Sequence, residues 1–174
     1  MIHKNGIYYL IAIGLFILLK FWFASLENSG LLPLLQPTSA LFGTMAGSAA
    51  VFSPEHGFYH AKFNIVIDES CAGYNFMLMT FLMLYFLCIK YAQKPRSKLL
   101  LLPAGISAAY ILTLFINSSR ILMAVLLQPL TENAFKLNPA VAHETIGITT
   151  YFTFLLLIYF GVEKGLHKKY EKIT

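Results

Sequence analysis

The sequence predicts an all-α fold, a multi-pass transmembrane helix bundle with about four spans and one further re-entrant or interfacial helix. Of its 174 residues, 57% are hydrophobic and only 12% are charged, whereas soluble domains average about a quarter charged residues. Several apolar runs also approach the length of about 20 residues that an α-helix needs to cross a bilayer. We expect a single integral membrane domain over residues 1–174.

Four apolar runs predict spanning helices, over residues 7–26, 73–89, 99–116 and 146–162. The first run follows a weakly basic start, as a secretory signal peptide would. It is longer than the apolar core of such a peptide, and no small-residue cleavage site follows it. We therefore expect a retained first helix.

Residues 31–52 are less apolar than the four predicted spans. They contain Pro33 and Pro37, and small residues at Gly43 and Gly47 that would let helices pack closely in lipid. This composition favours a re-entrant or interfacial helix within the bundle, with a full membrane span as the rival interpretation.

The basic residues predict the orientation of the chain, because cytoplasmic loops are enriched in Lys and Arg. Nine of the thirteen basic residues fall near the start, in the loop before residue 99 or in the tail. Both termini would then face the cytoplasm, with residues 27–72 and 117–145 outside a cytoplasmic (inner) membrane. A fifth span over residues 31–52 would place the Lys-rich tail outside, which disfavours it. The nine residues are Lys4, Lys90, Lys94, Arg96, Lys98, Lys164, Lys168, Lys169 and Lys172.

The same clustering argues against nucleic-acid binding, although the net charge is +5. The basic residues mark the ends of apolar runs and are not spread over a soluble face. The lipid bilayer is therefore the expected environment of the chain.

Three residues that could perform thiol chemistry lie at the predicted outer face. Cys71 directly precedes the second apolar run, Arg120 follows the third, and His143 precedes the fourth. A thiol, a fixed cation and an imidazole are the components of an acyl-transfer site. The loop charges therefore predict a candidate site on the extracytoplasmic side.

Each of the three residues also has an ordinary structural interpretation. Cys71 at a helix N-terminus would be favoured as the reactive thiolate, or it could be a buried boundary residue. Arg120 could stabilise a thiolate and an oxyanion with Asn117 orienting it, or it could extend to lipid headgroups. His143 could be the general base and acid, or a structural residue at the membrane interface.

The remaining cysteine and histidines are weaker candidates. Cys88 lies within a predicted span and would be a packing residue, about 25 Å from Cys71 along one helix. His56 and His60 share the external region with Glu55, but their spacing is a poor signal for a metal site. We expect no metal and no cofactor.

The run Glu69-Ser70-Cys71-Ala72-Gly73, followed by Asn117-x-x-Arg120 and then by His143, resembles the exosortase/archaeosortase family of membrane transpeptidases. The chain is short for that family and looks most like its small type, exosortase K. The resemblance implies Cys71 as nucleophile, Arg120 as electrostatic stabiliser and His143 as acid and base. Glu69 and Asn117 are the candidates for supporting roles beside them.

The resemblance also implies a substrate and an acceptor. The substrate would be a membrane-anchored protein whose C-terminal sorting signal has three parts: a short motif, one transmembrane helix and a basic end. The enzyme would cleave at the motif through a Cys71 thioester and transfer the chain to an acceptor such as a cell-envelope glycolipid. Simple proteolysis, with water as acceptor, is a related interpretation. The rival from another class is a non-enzymatic membrane subunit that binds partners or lipid headgroups.

Overall fold

The computed structural model describes residues 2–135 and 138–171. These residues form five α-helices and a small three-stranded sheet, with a 3₁₀ turn between the sheet and the third helix. The elements in chain order are α1 (Ile2–Ala24), α2 (Leu32–Ala46), β1 (Val51–Ser53), β2 (Gly57–His60), β3 (Ile65–Ile67), the 3₁₀ turn (Glu69–Cys71), α3 (Tyr74–Ile89), α4 (Pro95–Phe135) and α5 (Pro139–Glu171).

The prediction of an all-α bundle with four spans is confirmed. Four helical segments are long and apolar enough to cross a membrane, namely Asn5–Ala24, Glu69–Ile89, Pro95–Leu127 and Val141–Lys169. Their boundaries differ from the apolar runs of the sequence. The largest difference is in α4, whose 41 residues extend well beyond the expected end at residue 116.

The additional helix expected within residues 31–52 is α2. It has 15 residues, or about 22 Å at 1.5 Å per residue, which is shorter than the roughly 30 Å hydrocarbon core. Pro33 lies in its first turn, and Gly47 ends it in the left-handed conformation with φ of 62°. The Lys62 ammonium donates to the Ala46 carbonyl at 2.8 Å, where a cation complements the helix C-terminus. A full span over residues 31–52 is therefore not formed.

The three-stranded sheet follows α2 and was not expected from the sequence. β2 lies in the middle and pairs antiparallel with both neighbours, with Phe58 opposite Phe52 on one side and opposite Ile67 on the other. The strands hold β-branched and aromatic residues separated by short turns, a pattern typical of hairpins. Each strand has only three or four residues, too few to produce a clear alternation.

Contacts within the chain group into two units. The first consists of Met1–Ser25, Asn75–Leu112 and Leu155–Thr174. In it, the buried Lys98 donates to the Asn5 side chain at 2.6 Å. The second consists of Leu26–Tyr74 and Thr113–Phe154 and contains every candidate site residue. The expectation of a single domain stays a prediction.

In the second unit, Asn28 connects the sheet to the turn that carries Cys71. Its side chain is buried and donates to the carbonyls of Pro54 and Glu55, at 3.4 and 3.3 Å. Its carbonyl oxygen accepts from the Glu69 N–H at 2.9 Å. Because buried amides are costly unless paired, these bonds fix the start of the turn.

His60, at the end of β2, connects the sheet to α2. Its ring is fully buried and lies 2.9 Å from the Ser39 hydroxyl and 3.2 Å from the Ser48 hydroxyl. The edge of the ring also packs on Phe42. Burial lowers the pKa of His60 below its ordinary value because desolvation disfavours the imidazolium.

Candidate active site

Cys71 is the last residue of the 3₁₀ turn that follows β3. The Asp68 carboxylate caps this turn by accepting from the Ser70 N–H at 3.0 Å and from the Ser70 hydroxyl at 2.6 Å. The Cys71 N–H donates to the Asp68 carbonyl at 2.9 Å, and the Ser70 hydroxyl lies 3.7 Å from the Cys71 sulfur. The residue is 9% exposed, so a tight, capped turn holds a nearly buried thiol.

The position of Cys71 differs from the expected start of a long helix. Helix α3 begins at Tyr74. Gly73, directly before it, has a left-handed backbone conformation with φ of 72°, which separates the 3₁₀ turn from the helix. Cys71 therefore lies outside the first turn of α3, where the dipole of a helix acts most strongly. The expected effect of the helix dipole on the thiol stays a prediction.

Gly73 is required by its surroundings as well as by its backbone conformation. A Cβ atom at this position would lie 2.9 Å from Asn117 Cγ and 3.2 Å from the Tyr151 hydroxyl oxygen. Real Cβ atoms essentially never come within 3.0 Å of another heavy atom, so the contact with Asn117 excludes a side chain here. The absence of a side chain lets Asn117 of α4 come against the main chain beside Cys71.

Asn117 connects the residues around the thiol. It is fully buried, and its amide nitrogen donates to the Cys71 carbonyl at 2.5 Å. Its carbonyl oxygen accepts from Arg120 Nε at 3.1 Å and from the Tyr151 hydroxyl at 2.6 Å. One side chain thereby links α4 and α5 to the turn that holds the nucleophile candidate.

Arg120 is buried beside this amide and is only 6% exposed. Its guanidinium carbon lies 5.4 Å from the centre of the Tyr151 ring, a distance at which a cation is attracted to an aromatic face. A Cβ atom at Gly147 would lie 3.1 Å from the Arg120 Nη1 atom. Tyr151 and Gly147 of α5 thus accommodate a cation that would otherwise be expensive to bury.

Arg120 lies within α4, which continues as a helix beyond the predicted end of the third span at residue 116. Whether the membrane span itself ends before Arg120 stays a prediction. The hydroxyls of Ser118 and Ser119 donate to carbonyls four residues earlier, at 2.7 and 2.8 Å. Serines bonded in this way satisfy their own polar groups and let a helix continue through an apolar environment.

His143 lies near the start of α5, three residues before the predicted span at residue 146. It is exposed and lines a cavity of about 310 Å³ that Cys71 also lines. Among the residues that the structure describes, its ring nitrogens have no hydrogen-bond partner. His143 and Gly147 are four residues apart on α5 and therefore share a helix face. Gly147 is the position on this face that lies beside Arg120. The other residues lining the cavity are Ile65, Val66, Asp68, Ser70, Ile121, Ala124 and Val125.

The structure thus brings Cys71 and His143 to one cavity and links Arg120 to Cys71 through Asn117. Glu69 does not join them through its side chain. Its carboxylate is exposed, and in the part of the chain that the structure describes its hydrogen bonds are made by the main chain, to Asn28 and Ala72.

Sequence reasoning missed Tyr151 and Gly147. Both lie on the α5 face that carries His143, at spacings of four and eight residues. This helical spacing was the available signal. Choosing the face required knowing that α5 already begins at Pro139.

The weaker candidates lie elsewhere. Cys88 lines an apolar cavity of about 190 Å³ with Leu84, Leu101 and Val162, as expected of a packing residue. His56 is exposed and pairs with Glu55 at 4.0 Å, whereas His60 is bonded to its two serines. Within residues 2–135 and 138–171, no three His, Cys, Asp or Glu side chains cluster as metal ligands.

Comparisons with family models, with curated proteins and with solved structures find no match for this chain. The arrangement of its own residues therefore carries the functional argument.

Proposed function

We propose that this protein is a membrane-embedded cysteine transpeptidase or protease of the exosortase type. The observation that carries the proposal is that Cys71 and His143 line the same cavity. The order of Cys71, Arg120 and His143 along the chain, which resembles that of the exosortase/archaeosortase family, supports it. Cys88 has only an apolar cavity beside it, so Cys71 is the nucleophile of the proposed reaction.

In the first half of the reaction, His143 accepts the Cys71 proton and the thiolate attacks the scissile carbonyl carbon of the substrate. A C–S bond forms, and the carbonyl oxygen becomes an oxyanion. When the C–N bond breaks, His143 donates its proton to the leaving amine. A thioester at Cys71 and a released C-terminal fragment remain.

In the second half, a nucleophile of the acceptor attacks the thioester. His143 removes the proton of this nucleophile, the C–S bond breaks, and the thiol is restored. A hydroxyl or amine of an envelope glycolipid gives transpeptidation, whereas water gives hydrolysis. The same three side chains serve both outcomes.

Arg120 supplies positive charge beside this chemistry. A buried guanidinium stabilises developing negative charge more strongly than an exposed one, because little water surrounds it. Asn117 orients Arg120 at 3.1 Å and bonds the Cys71 carbonyl. In this proposal the Asn117 amide fixes the position of the Arg120 guanidinium relative to the turn that carries Cys71. Glu69 has no part in the reaction.

The substrate we propose is a membrane-anchored protein with the three-part C-terminal signal that the resemblance implies. The protein would lie in the cytoplasmic membrane with its site on the extracytoplasmic side. The Lys-rich loop and tail support this orientation. A substrate anchored in the same bilayer would present its scissile bond near the headgroups.

The test is co-expression with such a substrate and measurement of its processing. We expect Cys71→Ala to reduce processing by more than about a thousandfold, since a nucleophile cannot be bypassed. The matched control, Cys88→Ala, removes the other thiol and should leave processing unchanged. Acceptor attached to the product separates transpeptidation from hydrolysis.

Continued processing by Cys71→Ala would reject the proposal. Alkylation by a small membrane-impermeant reagent tests it without a substrate. A Cys71 thiol that is unreactive with this reagent at every pH would favour the non-enzymatic subunit instead.

A further inference from the structure

Strand β3 is an edge of the sheet and leads directly to the candidate nucleophile. Among the described residues it pairs only with β2, in the sheet order β1–β2–β3. Cys71 follows Ile67, the last residue of β3, by four positions. An edge strand presents main-chain N–H and C=O groups that can pair with another extended chain.

The cavity beside Cys71 borders this edge strand. It is lined by both Ile65 and Val66, which are neighbours in β3. Successive side chains of a strand point to opposite faces of its sheet, so the two side chains do not both face a cavity that lies over one face. A cavity at the free edge can contact both residues.

The α4 residues that line the cavity form an apolar wall, namely Ile121, Ala124 and Val125, and His143 of α5 also lines the cavity. The cavity therefore combines a main-chain edge, an apolar wall and a nucleophile with its base. Its volume of about 310 Å³ lies at the lower end of the range for ligand pockets.

We propose that the substrate binds as an added β-strand on the edge of β3, with its scissile carbonyl at the Cys71 sulfur. This proposal rests on the proposed function and specifies how its substrate is held. The partner is an extended peptide segment that enters the cavity and pairs through its main chain. Strand addition is an established mode of peptide recognition, in which main-chain bonds give affinity and pockets for alternate side chains give specificity.

The dimensions agree with this mode of binding. Three residues of β3 cover about 10 Å at 3.3 Å per residue, so about three substrate residues can pair. Their alternate side chains would meet the apolar wall formed by Ile121, Ala124 and Val125. Small or apolar residues should therefore be preferred on the side of the scissile bond that lies along β3.

A reactive peptide of known structure tests the proposal without the natural substrate. We would use acetyl-Ala-Val-Ala chloromethyl ketone with the Cys88→Ala protein, in which Cys71 is the remaining cysteine. The sulfur of Cys71 displaces chloride from the probe, so that a C–S bond replaces the C–Cl bond and His143 takes the thiol proton. The rate of labelling, measured by mass spectrometry, reports how well the peptide docks.

Two analogues of this probe carry one N-methyl group each, on the first or on the second residue. In a paired strand, neighbouring N–H groups point to opposite sides, so only one of the two should bond β3. We expect one methylation to slow labelling about tenfold, near the value of one net hydrogen bond, while the other changes the rate less than twofold. N-methylation stiffens both analogues, so the difference between their labelling rates reports the loss of a hydrogen bond and not this stiffening.

Iodoacetamide, which has no peptide to dock, separates failure of this proposal from failure of the proposed function. Should iodoacetamide label Cys71 while all three peptides react at one rate, strand addition is wrong and the catalytic proposal stands. Should Cys71 resist both iodoacetamide and the peptides, both proposals fail. An alternating effect of methylation, with iodoacetamide reacting normally, supports strand addition.

Discussion

His60 and His143 belong to the same unit but have opposite surroundings. His60 is fully buried, and the hydroxyls of Ser39 and Ser48 occupy both ring nitrogens. His143 is exposed in the cavity of Cys71, and its nitrogens have no hydrogen-bond partner among the described residues. A base must have a nitrogen available for a proton. The comparison therefore supports the proposed role of His143 as the base, whereas the hydrogen bonds of His60 give it a structural role.

Cavity size alone would have suggested the reverse assignment. His60 adjoins a cavity of about 480 Å³, larger than the one of about 310 Å³ beside His143. The larger cavity is lined by small residues such as Gly43, Gly47 and Ala50, together with hydroxyls already bonded to His60. The unpaired ring nitrogens of His143 among the described residues, in a cavity that Cys71 also lines, are more informative than cavity volume.

The largest expected effect separates the two histidines by activity. Replacing His143 with Asn removes the proposed proton carrier, so processing of the co-expressed substrate should fall about 10²–10⁴-fold. The protein should still fold, because the exposed ring makes no hydrogen bond within the described residues. Processing per folded molecule and the yield of folded protein are the two measurements.

The matched control is His60→Asn, in which processing per folded molecule should change less than about threefold, since His60 does not line the cavity that holds Cys71 and His143. Equal losses of specific activity in the two variants would contradict the assignment. So would normal activity in His143→Asn.

Candidate residues were easier to select from the sequence than their geometry was to predict. Cys71, Arg120 and His143 stand out because a thiol, a cation and an imidazole are rare within apolar sequence. The roles of Tyr151 and Gly147 depend on which face of α5 meets Arg120. That face is set by helix packing, which a single sequence does not encode in a visible pattern.

The helices were predicted well in number and less well in length. A span is recognised by its apolar run, since lipid imposes that composition. The helix α4 nevertheless continues through residues 117–120, whose polar groups pair within the protein. The sheet was missed because its strands have only three or four residues each, too few for a visible alternation.

The second prediction tests the structural role of His60 through stability. Ser39→Ala removes the hydroxyl 2.9 Å from His60 Nε2 and leaves a buried nitrogen without its partner. We expect the free energy of unfolding to fall by about 1–3 kcal/mol, with processing per folded molecule unchanged. Denaturant unfolding of the purified protein in detergent measures the first quantity.

The same role predicts a pH dependence. Because burial lowers the pKa of His60, the folded protein binds a proton there less readily than the unfolded chain. Its contribution to stability is complete above the unfolded value of about 6.5 and is lost as the pH falls through the folded pKa. His60→Asn should flatten this decline below pH 6.5 in thermal unfolding, whereas His143→Asn should leave the decline from His60 in place. If stability declines with falling pH in the same way in His60→Asn, the decline comes from other titratable groups.

The smallest expected effect concerns one glycine beside Arg120 and one glycine beside His60 and Ser48. A Cβ atom at Gly147 would lie 3.1 Å from Arg120 Nη1, whereas one at Gly43 would lie 2.6 Å from the Ser48 main-chain oxygen. The guanidinium ends a flexible side chain and can shift by a few tenths of an ångström, but the Ser48 carbonyl is held by the chain around it. Gly147→Ala should therefore lower processing only about two- to fivefold, by moving the charge that stabilises the oxyanion.

The stability of the Gly147→Ala variant should stay equal or rise by up to about 1 kcal/mol, because alanine is more favourable than glycine in a helix interior. Gly43→Ala should show the opposite pattern, with lower stability and full activity per folded molecule. Gly147→Ala would then lose activity and keep stability, whereas Gly43→Ala would lose stability and keep activity. If Gly147→Ala lost stability and kept its activity, the position of Arg120 would matter for folding, and the electrostatic role proposed for its charge would have to be abandoned.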